Sequence, residues 1–188
     1  MNVILASKSP RRRELLSEIV DRFEIITRET DETLPDDMHP SEGVGVLAVR
    51  KGKAVADIIT EDAMIISSDT LVELDGVPLG KPRDRKDAYE MLRSLSGRWH
   101  NVHTGVAVHR GDRVWSGVDT TRVRFRQMTD TEIYEYIDTG EPMDKAGAYG
   151  IQGLGGRFVA EYDGRYDTVV GLSVTLTRSL MDRAMEET

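Results

Sequence analysis

The chain contains no cysteine. Disulfide bridges, a thiolate nucleophile and cysteine-ligated zinc are therefore excluded, and a cytoplasmic location is the expectation. No apolar run approaches the length of a membrane span, so no membrane partner is expected. The first apolar residues are followed, not preceded, by Lys8 and Arg11 to Arg13, the reverse of a secretory signal. Internal repeats, low-complexity stretches and linkers are lacking too. Positive charge is in deficit: 25 Lys and Arg stand against 33 Asp and Glu, a formal net charge of −8. General nucleic-acid binding needs a basic surface, so that partner class is set aside. The remainder is ordinary globular composition over 188 residues, which predicts a single domain over 1–188.

The stretch MIISSDTLVELDGVPLGKP at 64–82 is the one the rest is arranged around. Met64, Ile65 and Ile66 read as a buried strand. Asp69 and Thr70 interrupt the apolar pattern, which resumes at Leu71 and Val72. Asp75 and Gly76 predict a tight hairpin, because Gly accepts the positive φ such turns require. The return arm ends at Lys81. A carboxylate among strand residues is expensive to bury unpaired, so Asp69 and Lys81 are read as two walls of one site. A capping aspartate at a strand end fits this stretch equally well.

The chain opens with a strand over 3–6. Ser9 and Pro10 then predict a helix start, with Leu15, Leu16, Ile19 and Val20 as its apolar stripe. Lys8, Arg11, Arg12 and Arg13 crowd four cations into six residues there. Cations at the positive end of a helix dipole are a liability of a few tenths of a kcal/mol each, roughly. An anion repays it: free N–H groups, the dipole and guanidinium forks all favour phosphate. A solvated basic turn is the plain alternative. A strand over 23–27 leads to an acidic loop in which Glu32 is held as a metal or water ligand. A helix over 41–59 carries Lys51 and Lys53 near its middle, and Gly43, Gly45 and Gly52 weaken it.

Helices are predicted over 84–95 and from the capping box Thr129–Glu132 to Gly140, with an antiparallel pair of strands over 99–109 and 114–126 between them. His100 and His103 fall on opposite faces of their strand, which argues against a shared metal. The stretch 144–156, DKAGAYGIQGLGG, has five glycines. It lets backbone approach a ligand closely, or serves as a flexible connection. Its spacing is neither a Walker A loop nor a dinucleotide fingerprint. A strand over 157–162, an apolar run over 168–172 and a last helix capped by Ser173 complete the chain.

LASKSPRRRELL at 5–16, SSDTLV at 67–72, GKP at 80–82, LSGRWHNVHTGV at 95–106, GEPMDKAGAYGIQG at 140–153 and VVGL at 169–172 stand in the order seen in the Maf family. The sequence resembles a Maf-type nucleoside triphosphate pyrophosphatase nearly end to end, and within it the dTTP/UTP branch. The resemblance implies an α/β fold: a long twisted mixed β-sheet flanked by helices, Maf/ITPase-like, with two lobes and a central cleft. It also implies hydrolysis of dTTP and UTP, and of modified pyrimidine nucleotides, to monophosphate and pyrophosphate with Mg²⁺ or Mn²⁺. Matched position by position, Asp69 is the proton acceptor. Arg11, Thr70 and Gln152 are specificity positions. Ser7, Arg12, Lys53 and Lys81 bind phosphate, and Asp69 with Glu32 would hold the metal. Ser67 and Ser68 stand where alanines are common, Ser173 where proline is usual, and Gly45 where larger residues are usual. The expected partner is a small-molecule nucleoside triphosphate; a homodimer is left open. A nucleotidyltransferase, or a nucleotide-binding regulator of cell division and septum formation, remains as an alternative function.

Overall fold

The computed structural model describes residues 1–187. Strand β1 (Asn2–Leu5) runs into helix α1 (Pro10–Ser17), followed by the short β2 (Glu24–Ile25), α2 (Pro40–Ala56), the hairpin β3 (Ala63–Leu74) and β4 (Val77–Leu79), and α3 (Arg85–Leu95). Strands β5 (Trp99–Arg110) and β6 (Arg113–Phe125), helix α4 (Asp130–Asp138), three short 3₁₀ turns within residues 141–158, β7 (Val159–Asp163), α5 (Tyr166–Val170) and α6 (Val174–Glu186) complete it. The seven strands form one mixed sheet in the order β2-β1-β3-β5-β6-β7, with β4 paired to β3. β1 is parallel to β2 and β3, whereas β4 and β7 are antiparallel to β3 and β6. Among the described residues no helix is long and apolar enough to cross a membrane.

The chain divides into two compact units. The first comprises Met1–Thr70, Thr104–Asp119 and the residues from Gly171 onward; the second comprises Leu71–His103 and Thr120–Val170. β3, β5 and β6 each pass from one unit into the other.

In the first unit, Ile4, Ala6, Val55, Ala63 and Ile65 pack together and join α2 to the parallel strands. Of the glycines that weaken α2 as an isolated helix, Gly52 is explained by its packing, and Gly105 of β5 by the same close approach. A Cβ on Gly105 of β5 would stand 2.3 Å from the Val44 carbonyl oxygen, and one on Gly52 would stand 2.5 Å from Ser67 Oγ. Helix and sheet approach too closely at these points for any side chain. The helix begins at Pro40 with His39 as its cap, not at Ser41, and α1 ends at Ser17, so Ile19 and Val20 lie beyond it. The strand expected over 23–27 is only two residues long.

In the second unit, the largest fully buried side chains are Tyr136, Phe125, Phe158, Leu92, Leu95 and Ile133. They belong to one core that also includes Val72, Val102, Ala148 and Tyr149. The amphipathic α3 contributes Ala88, Leu92 and Leu95, three- and four-residue spacings that put them on one face. Thr129 and Glu132 cap α4 reciprocally, as expected.

Candidate active site

β1 ends at Leu5, opposite Ile66 of β3. Beyond that point the two parallel strands diverge in use. β1 turns into α1, while β3 runs on through Ser67, Ser68, Asp69 and Thr70. Carboxyl ends of parallel strands are where α/β sheets place their ligands. The turn after β1 is organised by its serines. Ser7 Oγ accepts from the Ser9 N–H at 3.2 Å, and Ser9 Oγ caps α1 by accepting from the Arg12 N–H at 3.4 Å.

Arg12 is folded back into this turn. Its Nε donates to the Gly171 carbonyl at 2.9 Å, and its two terminal nitrogens reach Thr70 Oγ1 at 3.2 Å and Ser7 Oγ at 3.5 Å. Ser68 Oγ donates to the same carbonyl at 2.9 Å, and Thr70 Oγ1 lies 3.0 Å from Thr104 Oγ1. Burial lowers the Arg12 pKa below the ordinary arginine value; the Asp69 carboxylate opposes that shift, Arg11 adds to it and Glu32 opposes it. Arg12 is thus both a structural strut and a cation beside Asp69. Arg11, by contrast, is only partly exposed, and its side chain makes no hydrogen bond or ion pair among the described residues. The exposed side chains of Lys8 and Arg13 are likewise without such partners there.

The lysine that reaches Asp69 is Lys51. Its Nζ lies 2.5 Å from Asp69 Oδ1 and 2.9 Å from Glu32 Oε1, with side-chain exposures of 19%, 13% and 61% for Lys51, Asp69 and Glu32. Lys53, the position expected to bind phosphate, turns away: it is exposed and pairs with Asp57 at 2.7 Å. The reason is helical phase. At about 100° per residue, Lys51 sits roughly 40° from Leu47 and Val55, on the buried face, and Lys53 is about 200° from Lys51. That signal was present in the sequence, in the spacing of Leu47, Ala48, Lys51 and Val55. Glu32 is held in place from its flanks. Arg50 donates to the carbonyls of Asp31 and Thr33 at 3.3 and 2.6 Å, and Asp31 accepts from the Thr33 N–H at 2.9 Å. Nothing in the composition of the acidic loop marks Arg50 as its clamp.

Ser7, Arg12, Glu32, Lys51, Asp69 and Thr70 are therefore drawn together within the first unit. Lys81 and Gln152 belong to the second unit, where both are exposed and neither side chain is hydrogen-bonded among the described residues. The glycine-rich stretch that carries Gln152 is an ordered series of 3₁₀ turns, not a loose connection. Glu141 holds it: its carboxylate accepts from the N–H groups of Leu154 and Gly155 at 2.9 and 3.1 Å and from the Tyr136 hydroxyl at 2.8 Å. Burial alone would raise the Glu141 pKa, yet these donors outweigh it and hold the carboxyl below its usual range.

The histidines keep to separate partners, as their strand parity predicts. His103 Nε2 meets Glu73 Oε2 at 2.6 Å and its Nδ1 meets Thr120 Oγ1 at 2.8 Å, while His100 Nε2 meets the Tyr149 hydroxyl at 2.8 Å. Among the described residues no group of three or more His, Asp or Glu side chains is placed to hold a metal.

Comparison with known proteins bears on the family and the fold. The family model described as Maf-like protein matches residues 2–184. A dTTP/UTP pyrophosphatase of Bdellovibrio bacteriovorus is 45% identical over 188 residues, covering 96% of this chain and 97% of its own. A dTTP/UTP pyrophosphatase of Carboxydothermus hydrogenoformans is 51% identical, covering 93% and 94%, and one from Bacillus velezensis is 47% identical, covering 98% and 95%. Among solved structures, the Ham1 protein of Staphylococcus aureus superposes with a TM-score of 0.53 at 15% identity, covering 100% of this chain and 97% of its own. A HAM1 protein from Coxiella burnetii gives 0.50 at 13% identity, with both chains fully covered. At such identities these two speak for the sheet and its helices alone. The end-to-end family match and relatives identical at about half their positions are decisive, and the chain belongs to the Maf family.

Proposed function

We propose that this protein is a nucleoside triphosphate pyrophosphatase that hydrolyses dTTP and UTP, and modified pyrimidine nucleotides of the same shape, to the monophosphate and pyrophosphate. The observation that carries the proposal is the convergence of Asp69, Lys51, Glu32 and Arg12, supported by the names of the relatives. Cleavage between the α- and β-phosphates needs an activated water and relief of charge on the departing pyrophosphate. Asp69 is the acceptor for the water's proton. Arg11, with its unpaired guanidinium, and Lys51 are the cations available to phosphate oxygens in the first unit. Arg12 adds a fixed positive charge, and Ser7 a hydroxyl. Lys81 is assigned to phosphate as well, and Gln152, with Thr70 and Arg11, to recognition of the base. Lys53 has no part in this assignment. Catalysis on these terms is positioning and electrostatics. The protein acts as one domain on a small-molecule substrate, without nucleic acid, in the cytoplasm.

The donor set fits a hard divalent cation. Asp69 and Glu32 already converge on a single positive charge, the Lys51 ammonium. Mg²⁺ is commonly held by one or two carboxylates, with water and substrate phosphates as its remaining ligands. When bound, Mg²⁺ or Mn²⁺ supplies charge neutralisation on the phosphates and a more acidic water. Incubation with UTP or dTTP and Mg²⁺ tests the proposal. Pyrophosphate and monophosphate are expected, with activity abolished by chelation; orthophosphate and diphosphate as products would place cleavage at the wrong bond.

A further inference from the structure

Lys51 bridges Asp69 and Glu32 with contacts of 2.5 and 2.9 Å, and its side chain makes no other hydrogen bond or ion pair among the described residues. It therefore stands where two carboxylates converge. We propose that Lys51 is an internal counter-ion that a divalent cation must displace before it can sit between Asp69 and Glu32. The proposal rests on the reading of those two carboxylates as cation ligands, and adds that the protein carries a competitor for them on its own helix.

Three features of the first unit support it. The two acidic groups are anchored independently of the lysine. Asp69 lies on β3, and Glu32 sits between two residues whose carbonyls Arg50 binds. Both stay in place when the ammonium leaves. Asp69 is nearly buried and takes its only direct ion pair, among the described residues, from Lys51. It cannot be left bare without loss, so one cation must replace another. Arg12, the nearby alternative, is tied to Gly171, Thr70 and Ser7 and not to Asp69.

A flexible four-carbon stem lets the lysine move where an arginine fork would not. An ammonium and a divalent ion sharing one pair of carboxylates would lie a few ångströms apart and repel strongly in a half-buried site. The two are therefore exclusive. A triphosphate changes the balance, because its oxygens give the released ammonium a new partner. Metal and nucleotide then favour each other's binding, and the coupling is reciprocal. The protein alone holds metal weakly and takes it up chiefly together with substrate.

Binding of Mn²⁺ alone, followed by the electron paramagnetic resonance of the free ion, tests this on the full chain. Lys51→Met is expected to bind Mn²⁺ at least ~10-fold more tightly than wild type, since a positive charge has left the site. Lys51→Arg, which keeps the charge on a fork that leaves the carboxylates less readily, is expected to bind Mn²⁺ no more tightly than wild type. A non-hydrolysable UTP analogue bridged by methylene between its α- and β-phosphates should raise Mn²⁺ affinity in wild type by at least ~5-fold, and by much less in Lys51→Met. If Lys51→Met does not fold, Lys51→Gln reads the same effect, because its amide still donates to Asp69 without the charge. Equal or weaker Mn²⁺ binding by the uncharged variants overturns the counter-ion role while leaving the cation site standing. Absence of Mn²⁺ binding in every variant, with and without the analogue, overturns both.

Discussion

Arg12 Nε donates to the Gly171 carbonyl at 2.9 Å, so the first turn of α1 is tied to a residue 159 positions later. The same guanidinium reaches Thr70 and Ser7. An arginine whose position at a helix start made it a stability liability is thus a tie between distant parts of the first unit.

That reverses the stability expected of Arg12→Ala. Loss of a charged donor from three acceptors should destabilise the protein by about 2–3 kcal/mol. Arg11→Ala, with no partner to lose, should change stability by less than ~0.5 kcal/mol. Both should lower kcat/KM. Urea denaturation beside steady-state kinetics separates them, and a stable Arg12→Ala protein would mean that these bonds add nothing.

Asp69→Asn should abolish turnover while the protein stays folded. Asparagine keeps the size but cannot accept the proton, a loss of about 10²–10⁴ in rate. Circular dichroism and pyrophosphate release are the measurements. Near-normal activity would remove Asp69 from its role.

Lys51→Ala and Lys53→Ala differ by one face of a helix. The first should reduce kcat/KM by at least ~10²-fold, as loss of an electrostatic group at a reacting centre does. The second breaks only an exposed pair with Asp57, worth ~0–1 kcal/mol in stability, and should leave kinetics within about 3-fold of wild type. Comparable losses in both would contradict the helical phase seen here.

Gln152→Glu probes the base. Uracil offers N3–H as donor and O4 as acceptor, and a carboxylate cannot donate to O4. The variant's kcat/KM for UTP should fall by roughly 5- to 150-fold, the equivalent of an unpaired polar group. CTP, whose amino group can donate to the new carboxylate, should suffer less. An unchanged UTP-to-CTP preference would show that Gln152 does not read the base.

His100 sets an acid limit on stability. Its burial lowers its pKa from 6.5 to about 4. A histidine depressed in the folded state binds its proton more readily when unfolded. The stability from keeping it neutral is therefore whole above pH 6.5 and drains away as pH falls towards about 4. Between pH 7 and 4.5 wild type should lose about 2–3 kcal/mol more than His100→Gln, which does not titrate. Parallel denaturation curves for the two proteins at both pH values would dismiss the effect.

The candidate site was legible wherever its chemistry was local. The serine–proline–arginine turn, the Asp69 interruption of an apolar strand and the Asp75–Gly76 hairpin follow from neighbours a few residues apart, and caps and turns act over that range. The Arg50 clamp on the Glu32 loop joins residues 17 and 19 positions apart, and no motif announces it. Nothing in the apolar run 168–172 marks the Gly171 carbonyl, because a carbonyl that receives Arg12 and Ser68 can be recognised only once the fold has returned the chain to β3.

The amino-acid sequence by itself determined the α/β class and the family, and singled out the aspartate proposed as the centre of the site. These rest on periodicity, turn chemistry and a series of motifs, all of them properties of adjacent residues. Tertiary structure decided which lysine meets that aspartate and what Arg12 is for. α2 had three glycines and two lysines; its apolar spacing put Lys51 on the buried face, but did not say that this face meets Asp69. The close approach of Gly52 to Ser67 and of Gly105 to Val44 sets the helix's rotation against the sheet. That rotation turns Lys51 inward and Lys53 to solvent, because side-chain direction on a helix is settled by the face the packing buries.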